Sequence, residues 1–308
     1  MNIGLAASRS LRQGARSQLA RLVRRHRAFL RGAKIHAVGG TFDVLARGGL
    51  LEGHRALHRL PLGFEGGLMS MVAQVVAPEP ELALDLVIYL IDPNDQTSIF
   101  PEAQALKRQC VVHGKPFVST FAGADEWLAL CAGRAPRVSL LQKQTVALVA
   151  HDRCKPAMVA FAKRNFALLS RFGSRVATGT TGRRLNAMAL KRGAKAWVMP
   201  MLSGPLGGDA QIARLLLEGA CDRVIFFEDP HVARQHEADI QLLERAARVA
   251  GERAICLNDP TSAQRWAASV RLPRRGNEVA DQQYPTLGDR LPMEFRPDNK
   301  SRACKLNR

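Results

Sequence analysis

The chain has no apolar run approaching the roughly 20 residues that a bilayer-spanning helix requires. That absence argues against a helical membrane protein. Cysteine is sparse: six residues stand singly, with no CxxC pair and no disulfide-like spacing. The context therefore reads as reducing and cytoplasmic, and the thiols as ordinary core or surface groups. Acid is missing from the first basic stretch, where residues 9–34 carry nine Lys or Arg and no Asp or Glu. Such an Arg-rich, Ser-containing segment superficially resembles an organelle transit peptide. Yet Leu11, Leu19, Leu22, Val23, Phe29 and Leu30 trace a helix-like apolar stripe, so a solvated basic helix face is expected. Nor are aromatic residues interleaved with the basic patches. The net charge of +18 thus reads as solvated basic faces rather than a nucleic-acid site.

What the chain does have is length and a repeat. At 308 residues and 46% apolar content, one or two soluble domains with their own cores are expected. Residues 84–93 (LDLVIYLIDP) match residues 221–230 (CDRVIFFEDP), and the match continues from Glu102 over Asp239. Upstream, Gly63 to Leu68 lies over Gly204 to Asp209, and Ala37 to Phe42 over Ala177 to Gly182. The period is about 140 residues. Apolar strand-like runs alternate with helical patterns in each copy, which predicts βαβ units. The fold class is α/β: two tandem three-layer αβα domains, each with a parallel, Rossmann- or flavodoxin-like sheet. Predicted strands in the second copy cover 146–150, 174–177, 196–201 and 223–227; predicted helices cover 156–170, 210–218 and 237–250. The expected division is 1–131 for a degenerate copy, 132–142 for a Gly-, Pro- and base-rich linker, 143–270 for a second copy, and 271–308 for a basic tail.

Five short strings in the second copy carry chemistry. They are His151-Asp152-Arg153-Cys154-Lys155, Thr178-Gly179-Thr180-Thr181-Gly182, the run from Ser203-Gly204 to Gly207-Gly208-Asp209, Asp229-Pro230, and His236 with Asp239. Each follows or adjoins a predicted strand. In an open parallel sheet, the turns after the strand carboxyl ends converge on one ligand-binding edge. Hydroxyls, glycines, a lysine, histidines and carboxylates gathered there suit proton-transfer chemistry on a small phosphorylated substrate. Each turn alone also reads as a tight turn without a ligand. Asp209 alone reads equally as a helix N-cap or as a base.

In order and spacing, the five strings resemble the methylglyoxal synthase family, over residues from about 145 to 268 and as far as Arg290. The resemblance implies a carbon–oxygen lyase acting on phosphates, which converts dihydroxyacetone phosphate to methylglyoxal and inorganic phosphate. It places Lys155, Thr178, Thr180, Thr181 and Ser203 on the phosphate, with Gly179 and Gly204 beside it. It assigns the base to Asp209, carbonyl polarisation and proton shuttling to His236, and substrate-oxygen binding to His151. Asp152, Asp229 and Asp239 are orienters of histidine or lysine, or acids in their own right. In the family's terminal segment an arginine reaches phosphate, and Arg290 is its candidate here. The chemistry needs neither metal nor cofactor. Glu228 departs from the family, which commonly has an apolar or aromatic residue before this Asp-Pro.

The first copy keeps the glycines and strands but loses most reactive groups. Ala7 replaces His151, Leu11 replaces Lys155, Gly40 replaces Thr180, Leu68 replaces Asp209 and Ile99 replaces His236. That copy reads as a scaffold or regulatory domain. The expected partners are dihydroxyacetone phosphate and inorganic phosphate, with no nucleic acid and no membrane. Assembly is expected as an intrachain pseudo-dimer and a homo-oligomer, three chains corresponding to a family hexamer. The competing reading is a non-catalytic regulatory protein that binds a small phosphorylated metabolite, because the same fold serves as an effector domain in carbamoyl phosphate synthetase.

Overall fold

The computed structural model describes residues 1–47, 49–96, 101–134, 136, 138–231 and 237–270, without the side chains of 237–240. The first unit runs β1 (Asn2–Ala7), α1 (Arg9–Arg12), α2 (Gln18–Arg25), α3 (Arg27–Arg31), β2 (Lys34–Val38) and α4 (Gly39–Arg47). It continues with β3 (Leu57–Leu60), α5 (Gly67–Val75), β4 (Leu86–Leu90), α6 (Pro101–Val112), β5 (Phe117–Val118) and α7 (Phe121–Cys131). A short helix, α8 (Val138–Leu141), precedes the second unit and buries Leu141. The second unit has β6 (Thr145–Ala150), α9 (Lys155–Arg164), α10 (Phe166–Leu169), β7 (Ser174–Ala177), α11 (Gly179–Leu190) and β8 (Met199–Pro200). It closes with α12 (Gly208–Leu217), β9 (Arg223–Phe227), α13 (Glu237–Val249), β10 (Ile255–Leu257) and α14 (Pro260–Ser269). No helix among the described residues is long and apolar enough to cross a membrane.

Two five-stranded sheets result, ordered β3-β2-β1-β4-β5 and β8-β7-β6-β9-β10, every pairing parallel. The two orders are the same, strand for strand. Both faces of each central strand are buried, which is why these strands read as continuous apolar runs rather than alternating ones. On β6, Val146, Leu148 and Ala150 face one core while Ala147 and Val149 face another. On β4, Leu86, Ile88 and Leu90 oppose Val87 and Tyr89 in the same way. One of these cores contains residues of both units, Ile3 and Ile88 with Leu148 and Ile225.

Polar contacts also join the units. The Thr120 hydroxyl donates to the Ala254 carbonyl at 2.8 Å, and the Ala122 N–H to the Gly251 carbonyl at 2.9 Å. Arg223, fully buried beneath Trp266, makes a two-pronged pair with Glu126 of α7, both distances 2.8 Å. Such forked, charge-assisted geometry is the strong form of the ion pair.

Three predicted elements differ in detail. The apolar stripe of residues 11–30 is divided among α1, α2 and α3, with the backbone bending at His26, whose ring meets Asp125 at 2.8 Å. Its leucines are nevertheless buried as expected: Leu19, Leu22 and Leu30 are at most 1% exposed. The helix predicted over 156–170 is interrupted at Asn165, whose side-chain amide turns back to the Phe161 carbonyl. The strand predicted over 196–201 narrows to Met199–Pro200: Ala196 adopts φ +47°, a left-handed conformation that a strand does not contain, and the Asn186 side-chain amide takes both the N–H and the carbonyl of Val198.

Candidate active site

Three helices begin where strands of the second sheet end, and their first turns surround a cleft of about 240 Å³. It is lined by His151, Asp152, Lys155, Thr178, Thr180, Ser203, Gly204 and Asp209, together with Val149, Ala150, Pro205 and Phe226. The N-termini of α9, α11 and α12 turn their positive dipole ends toward it, favourable to an anion.

The His151 string leaves β6 with its N–H held by the Phe227 carbonyl at 3.1 Å. Nδ1 of His151 accepts the Asp229 N–H at 2.8 Å, and the Phe226 ring stands edge-on at 5.0 Å. An imidazole that accepts at Nδ1 carries its proton at Nε2 when neutral, so His151 is set up as an Nε2–H donor. A short 3-10 turn, Asp152–Cys154, then leads into α9. The Lys155 ammonium pairs with the exposed Asp152 carboxylate, while its own side chain is only 12% exposed. The cation is thus fixed at the cleft wall by a partner that solvent can reach.

The Thr178 string starts α11. Thr178 occupies the N-cap position, yet its hydroxyl makes no cap bond and instead lies 3.3 Å from Thr181 Oγ1. Thr180 faces the cleft, with Arg183 at 3.3 Å. Gly179 lies under the turn, its N–H donating to the Leu202 carbonyl at 2.8 Å, and Thr181 is fully buried behind it. Ser203 caps a second 3-10 turn, Gly204–Leu206, and again its side chain makes no cap bond.

Asp209 is not an N-cap. Gly207 takes that position at φ +92°, a conformation that favours glycine, and Asp209 falls inside the first turn of α12. The carboxylate points back over Gly204: a Cβ added there would meet Asp209 Oδ2 at 2.9 Å. Gly208 packs against backbone, since its Cβ would stand 2.0 Å from the Leu202 oxygen. The glycines therefore bring the Ser203 turn and the Asp209 carboxylate into one small space.

Asp229 lies behind His151 rather than on the cleft wall. It is 8% exposed, with Oδ1 accepting the His231 N–H at 3.0 Å and Oδ2 3.6 Å from Arg153 Nε. Its backbone, not its carboxylate, orients His151. His236, Arg290 and the Asp239 side chain lie outside the described residues. Phe226 and Val149 were not foreseen as lining residues; strand-end position beside the His151 and Asp229 strings was the available signal.

In the first unit the turn geometry survives while the chemistry does not. Gly66 has φ +91°, matching Gly207, but Leu68 stands at the position of Asp209 and is buried. The Asp92 N–H, counterpart of Asp229, donates to Ser8 Oγ at 2.8 Å. Arg12 occupies the space above Gly40, its Nη2 2.6 Å from where a Cβ would lie and its Nη1 donating to the Ala7 carbonyl at 2.6 Å.

No protein-family model matches the chain. Curated relatives do. A methylglyoxal synthase of Ralstonia nicotianae is 46% identical over 109 residues, 35% of this chain and 76% of the relative. The chain belongs to the methylglyoxal synthase family. The methylglyoxal synthases of Thermus thermophilus and of Rhizobium meliloti are each 42% identical, over 81% and 83% of their lengths and 35% and 36% of this chain. A solved methylglyoxal synthase from Elizabethkingia anophelis NUHP1 is 31% identical, covering 41% of this chain and 78% of that one at a TM-score of 0.34. Methylglyoxal synthase relatives thus account for about a third of the chain, roughly one of its two units.

Proposed function

We propose that the second unit is a methylglyoxal synthase acting on dihydroxyacetone phosphate. The observation that carries this reading is the meeting of Lys155, Thr178, Thr180 and Ser203 with Asp209 and His151 around one cleft of about 240 Å³. The first group suits a phosphate dianion, through one cation, three hydroxyls and helix N-termini. The second suits proton transfer at the carbons beside it.

In this reading Asp209 removes a proton from the hydroxymethyl carbon of the substrate. The electron pair moves onto the carbonyl oxygen, giving an enediolate. A carboxylate with an ordinary value of about 3.9 is a weak base for such a carbon acid, so the oxygens of the enediolate must be stabilised by donors. Nε2–H of His151 is one such donor, and His236 is assigned the second by resemblance. As the carbon–oxygen bond to phosphate breaks and inorganic phosphate leaves with that electron pair, the hydroxyl on the former hydroxymethyl carbon passes its proton to the enediolate oxygen and becomes the aldehyde. The enol that remains takes a proton on its methylene carbon, gives up its hydroxyl proton and becomes methylglyoxal.

The first unit is proposed as a non-catalytic partner of the second, an intrachain pseudo-dimer. Leu68 supplies no base, and Arg12 fills the space over Gly40. The test is release of inorganic phosphate from dihydroxyacetone phosphate by the full chain, with methylglyoxal formed one for one. Binding of the substrate without release of either product would favour the regulatory reading instead.

A further inference from the structure

Lys107 and Arg108 are consecutive residues on α6 of the first unit, and both reach the loop after β9 of the second. Lys107 Nζ lies 2.6 Å from Glu228 Oε2 and also pairs with Glu244 of α13. Arg108 Nε donates to the Pro230 carbonyl at 2.8 Å. These two contacts bracket Asp229, whose N–H is the group that holds Nδ1 of His151. A continuous path thus runs from the first unit to the candidate active site.

The cluster is closed, with two carboxyls set against two basic side chains. Lys107, Glu228 and Glu244 are each less than a tenth exposed, and Arg248 adds the second cation at 3.2 Å from Glu244. Arg248 Nε also meets Ser119 Oγ of the first unit at 3.4 Å. Buried ion pairs add little net stability, because desolvation offsets their attraction, but they do fix one arrangement. The repeat register makes the arrangement specific: Lys107 falls over Glu244, and Ile91 over Glu228. Two second units facing each other in the same way would bring Glu244 against Glu244.

We propose that Lys107 and Arg108 are positioning residues for the active site, acting through Glu228 and Pro230 on the Asp229 N–H and so on the His151 tautomer. This rests on the reading of the cleft as a methylglyoxal synthase site. It gives the first unit a task that needs none of the reactive groups it lacks: α6 clamps the loop beside which the second unit does its chemistry.

The discriminating variant is Arg108→Ala in the full chain. The Arg108 side chain is exposed and is not part of the buried cluster, so the unfolding midpoint should not move. The expected result is a kcat for phosphate release lowered roughly 10- to 100-fold, with KM within about twofold of wild type. Arg108→Lys, whose amine still reaches the carbonyl, should recover most of the loss. Nitrogen NMR of the His151 ring should show the Nε2–H form in wild type and a mixture of tautomers in Arg108→Ala. Lys107→Met should lower kcat in the same sense if it folds; the Arg108 pair decides the matter if it does not. Unchanged kcat and an unchanged His151 signature in Arg108→Ala would overturn the proposal. An inactive wild type would instead contradict the synthase reading, and the His151 signature would still decide the clamp.

Discussion

The backbone N–H of Asp229 donates to Nδ1 of His151 across 2.8 Å, joining the loop after β9 to the residue after β6. β6 and β9 are neighbours in the sheet, with Ala150 opposite Phe227, so strand pairing brings together His151, the next residue after Ala150, and Asp229, two residues past Phe227. The consequence is chemical: Nδ1 accepts, so in the neutral ring Nε2 carries the proton and is the donor. The first unit shows the same backbone position served by Ser8, which accepts the Asp92 N–H but offers no second nitrogen.

Glycines in the Ser203 to Asp209 run should separate folding from activity. Gly208→Ala places a Cβ 2.0 Å from the Leu202 oxygen, a clash with backbone that cannot step aside. It should destabilise the protein by about 1–3 kcal/mol or more, read from the urea midpoint. At Gly204 the nearest atom is Asp209 Oδ2, at 2.9 Å, the end of a side chain that can move. Gly204→Ala should therefore leave stability within about 1 kcal/mol of wild type and lower turnover roughly tenfold or more. Wild-type turnover in Gly204→Ala would mean that the Asp209 position is unimportant.

Lys155 should govern phosphate affinity. Its ammonium is held at the cleft wall, and charge-assisted bonds to phosphate are the strong class. Lys155→Ala should weaken binding of inorganic phosphate by roughly tenfold or more, measured by calorimetry. Leu11→Lys in the first unit should add no phosphate binding, because Arg12 fills the space over Gly40. Equal affinity in wild type and Lys155→Ala would remove the lysine from the site.

The buried cluster predicts a pH dependence of stability. Burial, aided by the negative charge of Glu244, pushes Glu228 up to about 7 against the opposing pull of Lys107. Burial also pushes Glu244 up, but Lys107 and Arg248 outweigh it and hold that carboxyl below its usual range. The charged and titratable groups around Glu228 are Lys107 from α6, Glu244 and Arg248 from α13, Cys256 from β10, and Cys154, whose Sγ meets the Glu228 carbonyl. A carboxyl raised in the folded state holds its proton more tightly there than in the unfolded chain. Its contribution is complete below about 4.5 and is lost as pH rises through about 7. The stability of wild type relative to Glu228→Gln should therefore fall across that window, by roughly 2–4 kcal/mol. A difference that stays flat between those values would contradict the assignment.

Much of the second unit was legible because parallel strands buried on both faces are continuous apolar runs; 174–177 and 223–227 are strands with the predicted bounds. The strings of the cleft were legible for a related reason, since each stands directly after a strand whose end is marked by a change to glycine, hydroxyl or charge. The short strands β5 and β10 were not visible: two or three residues carry no periodicity, and they exist because β4 and β9 offer them a ladder. Asp209 was ambiguous between cap and base because residue type suits both; only the left-handed Gly207 separates the two. The part played by Glu228 was hidden most fully. In the sequence it is a stray acid beside Asp229, and its partner Lys107 lies in the other unit, on a helix whose pattern records nothing of that contact.

The most direct measurement compares wild type and Asp209→Asn in release of inorganic phosphate and formation of methylglyoxal from dihydroxyacetone phosphate. The amide keeps the shape of the side chain above Gly204 but cannot accept the carbon-bound proton. Wild type should form the two products in equal amounts, and Asp209→Asn should fold with the same midpoint and lose about 10²–10⁴-fold in turnover. Retention of more than roughly a tenth of wild-type turnover, or phosphate released without methylglyoxal, would contradict the account.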